Sequence, residues 1–383
     1  MIDFLLGALS VLATRGSKII SSLERKSGLP EPVAVHSSRA LQKTREIVEG
    51  INKRRQALLS LKNKVEQGYL SLEQARPLIR GSIQAYRDFR RRLDTIEESF
   101  VGHIIRFSDA DTFFTQLAAT LWKEAGLPGT SPVAVTNTSG YFCTLAQLGI
   151  VFSPPSSEHH LLNWPDLFHE FGHLLHEILG GALFGARYKQ ALQDHITDLT
   201  NQVRRVSRPL PPGLLHDLKL RWDFRWAEEA ACDVLAAKLV GPAYGWCNLH
   251  LCLQSTDVFQ IGEEHPADAA RTKHIFRVLS RDGWKLEAAE MEDRWNQYLG
   301  AVKQRKPSHY DDYYPDSLFV AIMEDVEEST RQFSRYNNNK QQPTITLINQ
   351  SWRQFLEDTA GYENWETRAL EQLRTSLATS TVE

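Results

Sequence analysis

The chain has few cysteines, and their positions argue against a cysteine-based scaffold. Only four of its 383 residues are Cys, at positions 143, 232, 247 and 252. They show neither the spacing of a zinc-binding motif nor that of a disulfide framework. Such cysteine usage is typical of a protein in a reduced, cytoplasmic setting. Cys232 is expected to be a buried core residue.

The chain also lacks a long apolar run. The apolar stretch from Phe4 to Ala13 is too short to span a bilayer. Asp3 precedes this stretch and no basic segment does, so a signal peptide is not expected. The sequence therefore predicts a short packed helix here and no transmembrane segment. An interfacial membrane contact is the alternative.

One motif stands out against this background, an H-E-x-x-H pattern. It occupies the run His169-Glu170-Phe171-Gly172-His173. A stripe of apolar residues predicts a helix from Asn163, its cap, to Gly181, its stop. Residues four apart share one helical face, so both imidazoles can bind one metal ion while Glu170 lies beside a bound water. The alternative is a buried amphipathic helix with two coincidental histidines.

A catalytic zinc site needs a third protein ligand, and its fourth position is left to water. The extended pattern H-E-x-x-H-x-x-G-x-x-H is excluded here. His176 stands at the place of its Gly, and Leu179 stands at the place of its last His. The third ligand is therefore expected from another part of the chain.

A second predicted helix, from Trp226 to Gly241, carries a suitable glutamate. Glu229 and Asp233 are four apart and share a face. Glu229 can bind the metal, while Asp233 accepts a hydrogen bond from a ligating histidine. The alternative is that Glu228 and Glu229 form a solvated acidic pair.

A third element begins at His265, which precedes a proline and opens another predicted helix. His265 can donate a hydrogen bond to the oxyanion of a tetrahedral intermediate. Arg271 can orient a carboxylate or bind the substrate backbone. Tyr310, Tyr313 and Tyr314 offer an alternative oxyanion donor. Purely structural roles, a helix start for His265 and surface packing for the tyrosines, are the alternatives.

The order of H-E-x-x-H, E-x-x-x-D and H-P-x-x-x-x-R resembles the gluzincin metallopeptidases. The chain is most similar to the minigluzincin group, which includes the HtpX-like heat-shock proteases and the CAAX prenyl proteases. Glu229 follows His173 by 56 positions, a gap similar to that group's. The resemblance covers about residues 130 to 285. The chain departs from the group in its N-terminal third and in lacking the membrane helices of the HtpX-like enzymes.

The resemblance implies one zinc ion per chain. The implied zinc ligands are His169, His173 and Glu229. Glu170 would act as the general base, and Asp233 would hydrogen-bond a zinc-binding histidine. His265 would stabilise the transition state, with Arg271 supporting the site.

Three short β-prone runs precede the motif, at 132–137, 140–145 and 149–154. In zincins an edge strand beside the active-site helix pairs with the substrate backbone, which is strand addition. The run 149–152 is the candidate for that strand, with an ordinary core strand as the alternative. Gly172 costs the motif helix about 1 kcal/mol relative to Ala. Its presence predicts a close approach by a neighbouring strand.

Three regions are predicted: a helical N-terminal region at 1–127, a zincin metallopeptidase domain at 128–335, and a linker, helix and disordered tail at 336–383. The first contains a hairpin of charged helices with a turn at Gln67-Gly68-Tyr69. Residues 38–98 hold 14 Lys and Arg against 8 Asp and Glu. These basic helices could bind a protein partner. No nucleic-acid motif accompanies them, so a solvated helix face is preferred to nucleic-acid binding.

Together these features predict a mainly helical α+β fold, with a zincin-like metallopeptidase core, a small β-sheet and a helical N-terminal extension. The predicted function is a cytoplasmic zinc endopeptidase that hydrolyses peptide bonds of a protein or peptide substrate. Three alternatives stay open: an inactive zinc-binding scaffold, a basic helical binding module with an accidental motif, and a zinc hydrolase acting on a non-peptide amide.

Overall fold

The computed structural model describes the greater part of the chain, which folds into two compact units. The described residues are 2–25, 29, 31–101, 109–136, 142–154, 157–206, 213–337 and 342–380. The first unit comprises Met1–Thr115, Pro132–Thr136 and Leu148–Ile150, and the second comprises Gln116–Ser131, Asn137–Gln147 and Val151–Glu383. The domain boundaries expected after residues 127 and 335 both fall within the second unit and stay predictions.

Three long helices make up most of the first unit. They are α1 (Ile2–Arg25), α2 (Glu31–Glu66) and α3 (Leu72–Ile96). Helix α1 packs along α2, and α2 packs along α3. Gly68 takes a positive φ of 77° in the turn before α3. The predicted hairpin and its turn are therefore confirmed, whereas the short helix expected at Phe4 to Ala13 is part of the 24-residue α1.

The remaining described residues hold twelve more α-helices and one small sheet. The helices are α4 (Asp109–Glu124), α5 (Asp166–Ile178), α6 (Ala186–Val206), α7 (Leu214–Arg221), α8 (Ala227–Val240), α9 (Pro242–Cys252), α10 (Asp268–Arg281), α11 (Lys285–Val302), α12 (Tyr310–Tyr313), α13 (Asp316–Ser329), α14 (Pro343–Glu357) and α15 (Tyr362–Ser380). The strands are β1 (Val133–Thr136), β2 (Cys143–Leu145) and β3 (Ile150–Ser153). The predicted class, a mainly helical α+β fold with a small sheet, is confirmed.

Helix α15 extends further toward the chain end than expected. It runs to Ser380, into the segment expected to be a disordered tail. Residues 381–383, and 338–341 of the expected linker, lie outside the described residues. Within the described part of the chain, none of the helices has the length and apolarity needed to cross a bilayer.

The strand order corrects one expectation. The sheet runs β1-β3-β2, so β3 lies between the other two strands. All four residues of β3 are buried. The run 149–152 is therefore a core strand, and the proposal that it is the edge strand beside the motif helix is wrong. The described strand that contacts α5 from the edge of the sheet is β2.

Helices α5 and α8 pack against each other at Gly172. A Cβ atom added at Gly172 would lie 2.7 Å from Cys232 Sγ and 2.9 Å from Cys232 Cα. The expected close approach is thus present, but the neighbour is a helix and not a strand. Any larger side chain at position 172 would push the two helices apart.

Helix α8 is buried on almost all sides. Every residue from Ala227 to Val240 except Glu228 is buried, as expected of a helix surrounded by other elements. A five-residue π-helical segment, Trp222–Trp226, joins α7 to α8, and Arg221 and Trp226 both keep right-handed helical dihedrals. Segments of π-helix are frequent at functional sites. Helix α8 ends where predicted, at Gly241, whose φ is 72°.

Candidate metal centre

Three residues of the predicted metal site converge. His169 and His173 lie on α5, one turn apart, and Glu229 lies in the first turn of α8. Glu229 Oε2 is 3.1 Å from His169 Nε2, and Glu229 Oε1 is 3.5 Å from His173 Nε2. One ligand atom from each of the three residues lies within 4.8 Å of the others.

The geometry and chemistry of this group fit a zinc ion. Zinc–nitrogen bonds of 2.0–2.1 Å at tetrahedral angles separate neighbouring ligand atoms by about 3.3 Å. The separations of 3.1 and 3.5 Å, which involve the two different oxygens of Glu229, are close to this value. Two imidazole nitrogens and one carboxylate oxygen also form a ligand set found in catalytic zinc sites, which keep one position open.

The far ring nitrogen of each histidine is held by a carboxylate on α8. His169 Nδ1 is 2.9 Å from Asp233 Oδ1, which is the hydrogen bond predicted for Asp233. His173 Nδ1 is 2.8 Å from Glu228 Oε1. With its proton kept on Nδ1, each ring would have Nε2, on the side of Glu229, free to bind a metal ion. Such contacts fix the tautomer and the orientation of metal-binding imidazoles.

Asp233 is the centre of a buried network. Its carboxylate accepts two hydrogen bonds of 2.8 Å from Arg271 and one of 2.5 Å from the Tyr244 hydroxyl. Burial alone would raise the pKa of Asp233, but the charge and hydrogen bonds of Arg271 and the contact with His169 hold it well below its ordinary value. Asp233 is therefore an ionised partner for His169. Arg271 orients this carboxylate, one of the two roles expected for it.

Glu229 is ionised for similar reasons. Burial disfavours its charged form, yet hydrogen bonds with His169 and His265 hold the pKa of Glu229 well below its ordinary value. An ionised carboxylate is the form that binds a metal ion. The buried charges of this centre are thus paired before any cation is added.

Glu170 lies on the same helix as the two histidines. It is 6% exposed, and its Oε2 accepts a hydrogen bond of 2.5 Å from the Thr144 hydroxyl. Thr144 is the middle residue of β2, so the edge strand fixes the position of the expected general base. A carboxylate held in this way is an acceptor for a water proton.

His265 lies at the rim of the centre. Its Nδ1 is 2.9 Å from Glu229 Oε2, and 55% of its side chain is exposed. It precedes α10, which begins at Asp268. The N–H of Ala267 donates to the Tyr314 hydroxyl at 3.0 Å, which ties this short segment to the residue that follows α12. His265 is therefore both adjacent to the cluster and accessible from solvent.

The tyrosines offered as alternative donors make other contacts. The Tyr313 hydroxyl donates to Asp217 Oδ2 at 2.9 Å, and the Tyr314 hydroxyl accepts from Ala267. Tyr310 is 5% exposed, and burial raises the pKa of its phenol. These contacts favour His265 over Tyr313 and Tyr314 as the group that faces a substrate.

Three residues at the site were not expected from the sequence. They are Thr144, Glu228 and Tyr244. Glu228 was given only the role of a solvated acid beside Glu229. One sequence pattern could have identified Glu228 as a site residue: two adjacent acids are available to pair with two histidines that lie one helical turn apart. Asn163, expected to cap α5, makes no such contact: the cap position is Pro165, which offers no side-chain hydrogen bond.

Comparisons with known proteins found no match. The chain matched no protein family, no curated protein and no solved structure. The argument for function therefore depends on the residues and their geometry.

Proposed function

We propose that this protein is a zinc-dependent endopeptidase that hydrolyses peptide bonds of a protein or peptide substrate. The observation that carries the proposal is the convergence of His169, His173 and Glu229 with Glu170 on the same helix as the histidines. A purely structural cluster would have no need of Glu170, whose carboxylate is buried and held by the Thr144 hydroxyl.

His169, His173 and Glu229 would hold the ion. Zinc, when bound, supplies Lewis acidity that polarises a carbonyl oxygen and acidifies a water molecule. Glu170 would accept the proton of the attacking water and return it to the leaving amine. The Thr144 hydroxyl would keep the Glu170 carboxylate in place during both transfers. The carboxylates of Asp233 and Glu228 would keep the two imidazoles in the required tautomer.

The substrate is expected to bind between the cluster and two flanking elements. Strand β2 lies at an edge of the described sheet and contacts α5, so an extended peptide could pair with its backbone. His265, next to Glu229, would donate a hydrogen bond to the oxyanion that forms on the scissile carbonyl. We place the enzyme in the cytoplasm because all four cysteines are free thiols.

The direct test compares two substitutions on α5. Glu170→Gln removes the proton acceptor but keeps the volume of the side chain. It should abolish cleavage of unfolded casein and leave the zinc content unchanged, because Glu170 is not a ligand. Glu177→Gln, at an exposed position on the same helix, is the matched control and should keep full activity.

Each outcome distinguishes the functions considered. A wild-type protein that holds zinc but cleaves neither casein nor a mixture of peptides would favour the inactive scaffold. If the protein released ammonia or an amine from a non-peptide amide but cleaved no peptide, it would be a zinc hydrolase of non-peptide amides. If Glu170→Gln were as active as wild type, the role given to Glu170 would be wrong.

His265→Ala tests whether His265 stabilises the oxyanion. His265 should act mainly in the transition state, so the variant should keep zinc and KM while kcat falls by about 10²- to 10³-fold. A kcat near the wild-type value would show that His265 is no oxyanion donor.

A further inference from the structure

A groove lies between α1 and α3 in the first unit, and apolar side chains form its floor. The cavity in this groove has a volume of about 580 Å³. Leu5 and Ala8 line it from α1, and Ile83 and Tyr86 line it from α3. Leu5 is buried, whereas the other three are half-buried. The two helices therefore leave apolar surface on this side that no described element covers.

The apolar surface of α3 continues beyond the cavity. Leu72, Ile79, Ile83 and Tyr86 are separated by seven, four and three positions, so they share one side of the helix. Leu72 is 65% exposed, and Ile79 is half-buried. The stripe from Leu72 to Tyr86 is about 21 Å long at 1.5 Å per residue. A stripe of this kind is the face that an amphipathic helix buries against another element.

Arginine side chains flank this apolar stripe. Helix α3 carries six Arg against three acids, and each acid is already paired with an arginine. The pairs are Glu73–Arg76, Asp88–Arg91 and Asp94–Arg15. Arg80 and Arg87 are exposed and form no ion pair within the described part of the chain. They lie seven positions apart, so both project on the side of α3 that carries Ile83. Arg87 itself lines the cavity.

The shape and charge of the groove select one class of partner. A flat bilayer cannot reach Leu5, which is 5% exposed on the floor. A nucleic acid would gain little from apolar surface, and Glu73 and Asp94, near the two ends of α3, would repel its phosphates. An amphipathic helix places its apolar face in such a groove and its charged flanks beside the rims.

We propose that this groove binds an α-helix of a partner protein whose apolar stripe is flanked by Asp and Glu. The apolar side chains of that helix pack on Ile83 and Tyr86, and its carboxylates pair with Arg80 and Arg87. The proposal uses residues of the first unit alone. It therefore holds whether or not the protein is a peptidase.

The test uses three synthetic helical peptides and the full chain. Each peptide has about 20 residues, enough to form a helix, with Leu repeating at intervals of three and four positions. The flanking positions are Glu in the first peptide, Gln in the second and Lys in the third. Fluorescence anisotropy should show one saturable site for the Glu peptide, and its affinity should fall as salt is added. The Gln peptide should bind about tenfold more weakly, and the Lys peptide should not bind.

Three variants separate charge from apolar contact. Arg87→Glu should weaken binding of the Glu peptide about tenfold and change binding of the Gln peptide less than about twofold. Ile83→Ala should weaken binding of both peptides by the same factor, about tenfold, because it removes apolar surface from the floor. Arg92→Glu is the matched control on the same helix. Arg92 does not line the cavity, so this variant should bind both peptides within about twofold of wild type.

Two results would overturn the proposal. One is the absence of saturable binding of the Glu peptide to wild type. The other is equal affinity of wild type, Arg87→Glu and Ile83→Ala for that peptide. If the protein instead bound vesicles of phosphatidylcholine and phosphatidylserine, or duplex DNA, and not the Glu peptide, the surface would serve a membrane or a nucleic acid.

Discussion

The ion pairs of the first unit and those around the metal centre differ in their surroundings. Lys53 and Glu49 pair along α2 with 76% and 65% of their side chains exposed. Arg271 and Asp233 pair between two helices with 17% and 1% exposed. Exposed pairs contribute little to stability because water and salt screen them. A buried pair that loses one partner leaves an uncompensated charge in a medium of low polarity.

The comparison shows which charges carry information about function. The basic surplus of residues 38–98 is the larger feature in the sequence, yet many of its ion pairs are local contacts three or four residues apart. The acids of α8 are fewer, and each is bound to residues distant in sequence. Buried charge that is paired across elements is the better guide to a site.

The largest expected effect comes from Asp233→Ala. The substitution leaves Arg271 buried without its carboxylate and frees His169 Nδ1. We expect the free energy of unfolding of the metal-free protein to fall by about 3–5 kcal/mol. Zinc affinity should also fall about 10- to 100-fold. Chemical denaturation and zinc titration against a chelator measure the two effects.

Glu49→Ala is the matched control for Asp233→Ala. It removes the acid of an exposed pair, so neither the denaturation midpoint nor the zinc affinity should change measurably. Equal effects of the two substitutions would contradict the claim that the buried pair matters more than the exposed one.

A smaller effect is expected when a helical glycine is replaced by alanine, once beside the metal centre and once in the first unit. Gly172→Ala places a Cβ against Cys232, including its backbone, and should cost about 1–3 kcal/mol because α5 and α8 must shift. Gly81→Ala in α3 meets nothing within 4 Å and should stabilise the protein by about 1 kcal/mol through helix propensity. The same sign for both changes in denaturation experiments would contradict the packing described for Gly172.

The smallest effect is expected at Glu228. Glu228→Gln weakens the contact that holds His173, and zinc affinity should fall about tenfold. Glu177→Gln on α5 should leave zinc affinity unchanged, since that side chain lies outside the cluster. Competition with a chelator gives both affinities. An unchanged affinity in Glu228→Gln would return Glu228 to the solvated role first expected for it.

Much of the site could be predicted because its signals are local. The spacing of His169 and His173 needs only the periodicity of one helix, and so does that of Glu229 and Asp233. The turn at Gly68 and the end of α8 at Gly241 follow from the conformational freedom of glycine. The three strands follow from short β-prone runs between turn residues.

The remaining features depend on contacts that no local pattern specifies. Gly172 shows that something approaches closely, but it does not show whether a strand or a helix does so. The central place of β3 depends on the order in which strands pair. Thr144 and Tyr244 join the site from elements whose positions are set by packing of the whole unit.

The central claim is that His169, His173 and Glu229 bind one zinc ion. Metal analysis of the purified protein by mass spectrometry tests it most directly. We predict one zinc per chain in wild type and less than a tenth of that in His169→Ala, His173→Ala and Glu229→Ala, with Glu177→Gln unchanged. A folded wild-type protein that is free of metal and takes up none when zinc is added would contradict the claim.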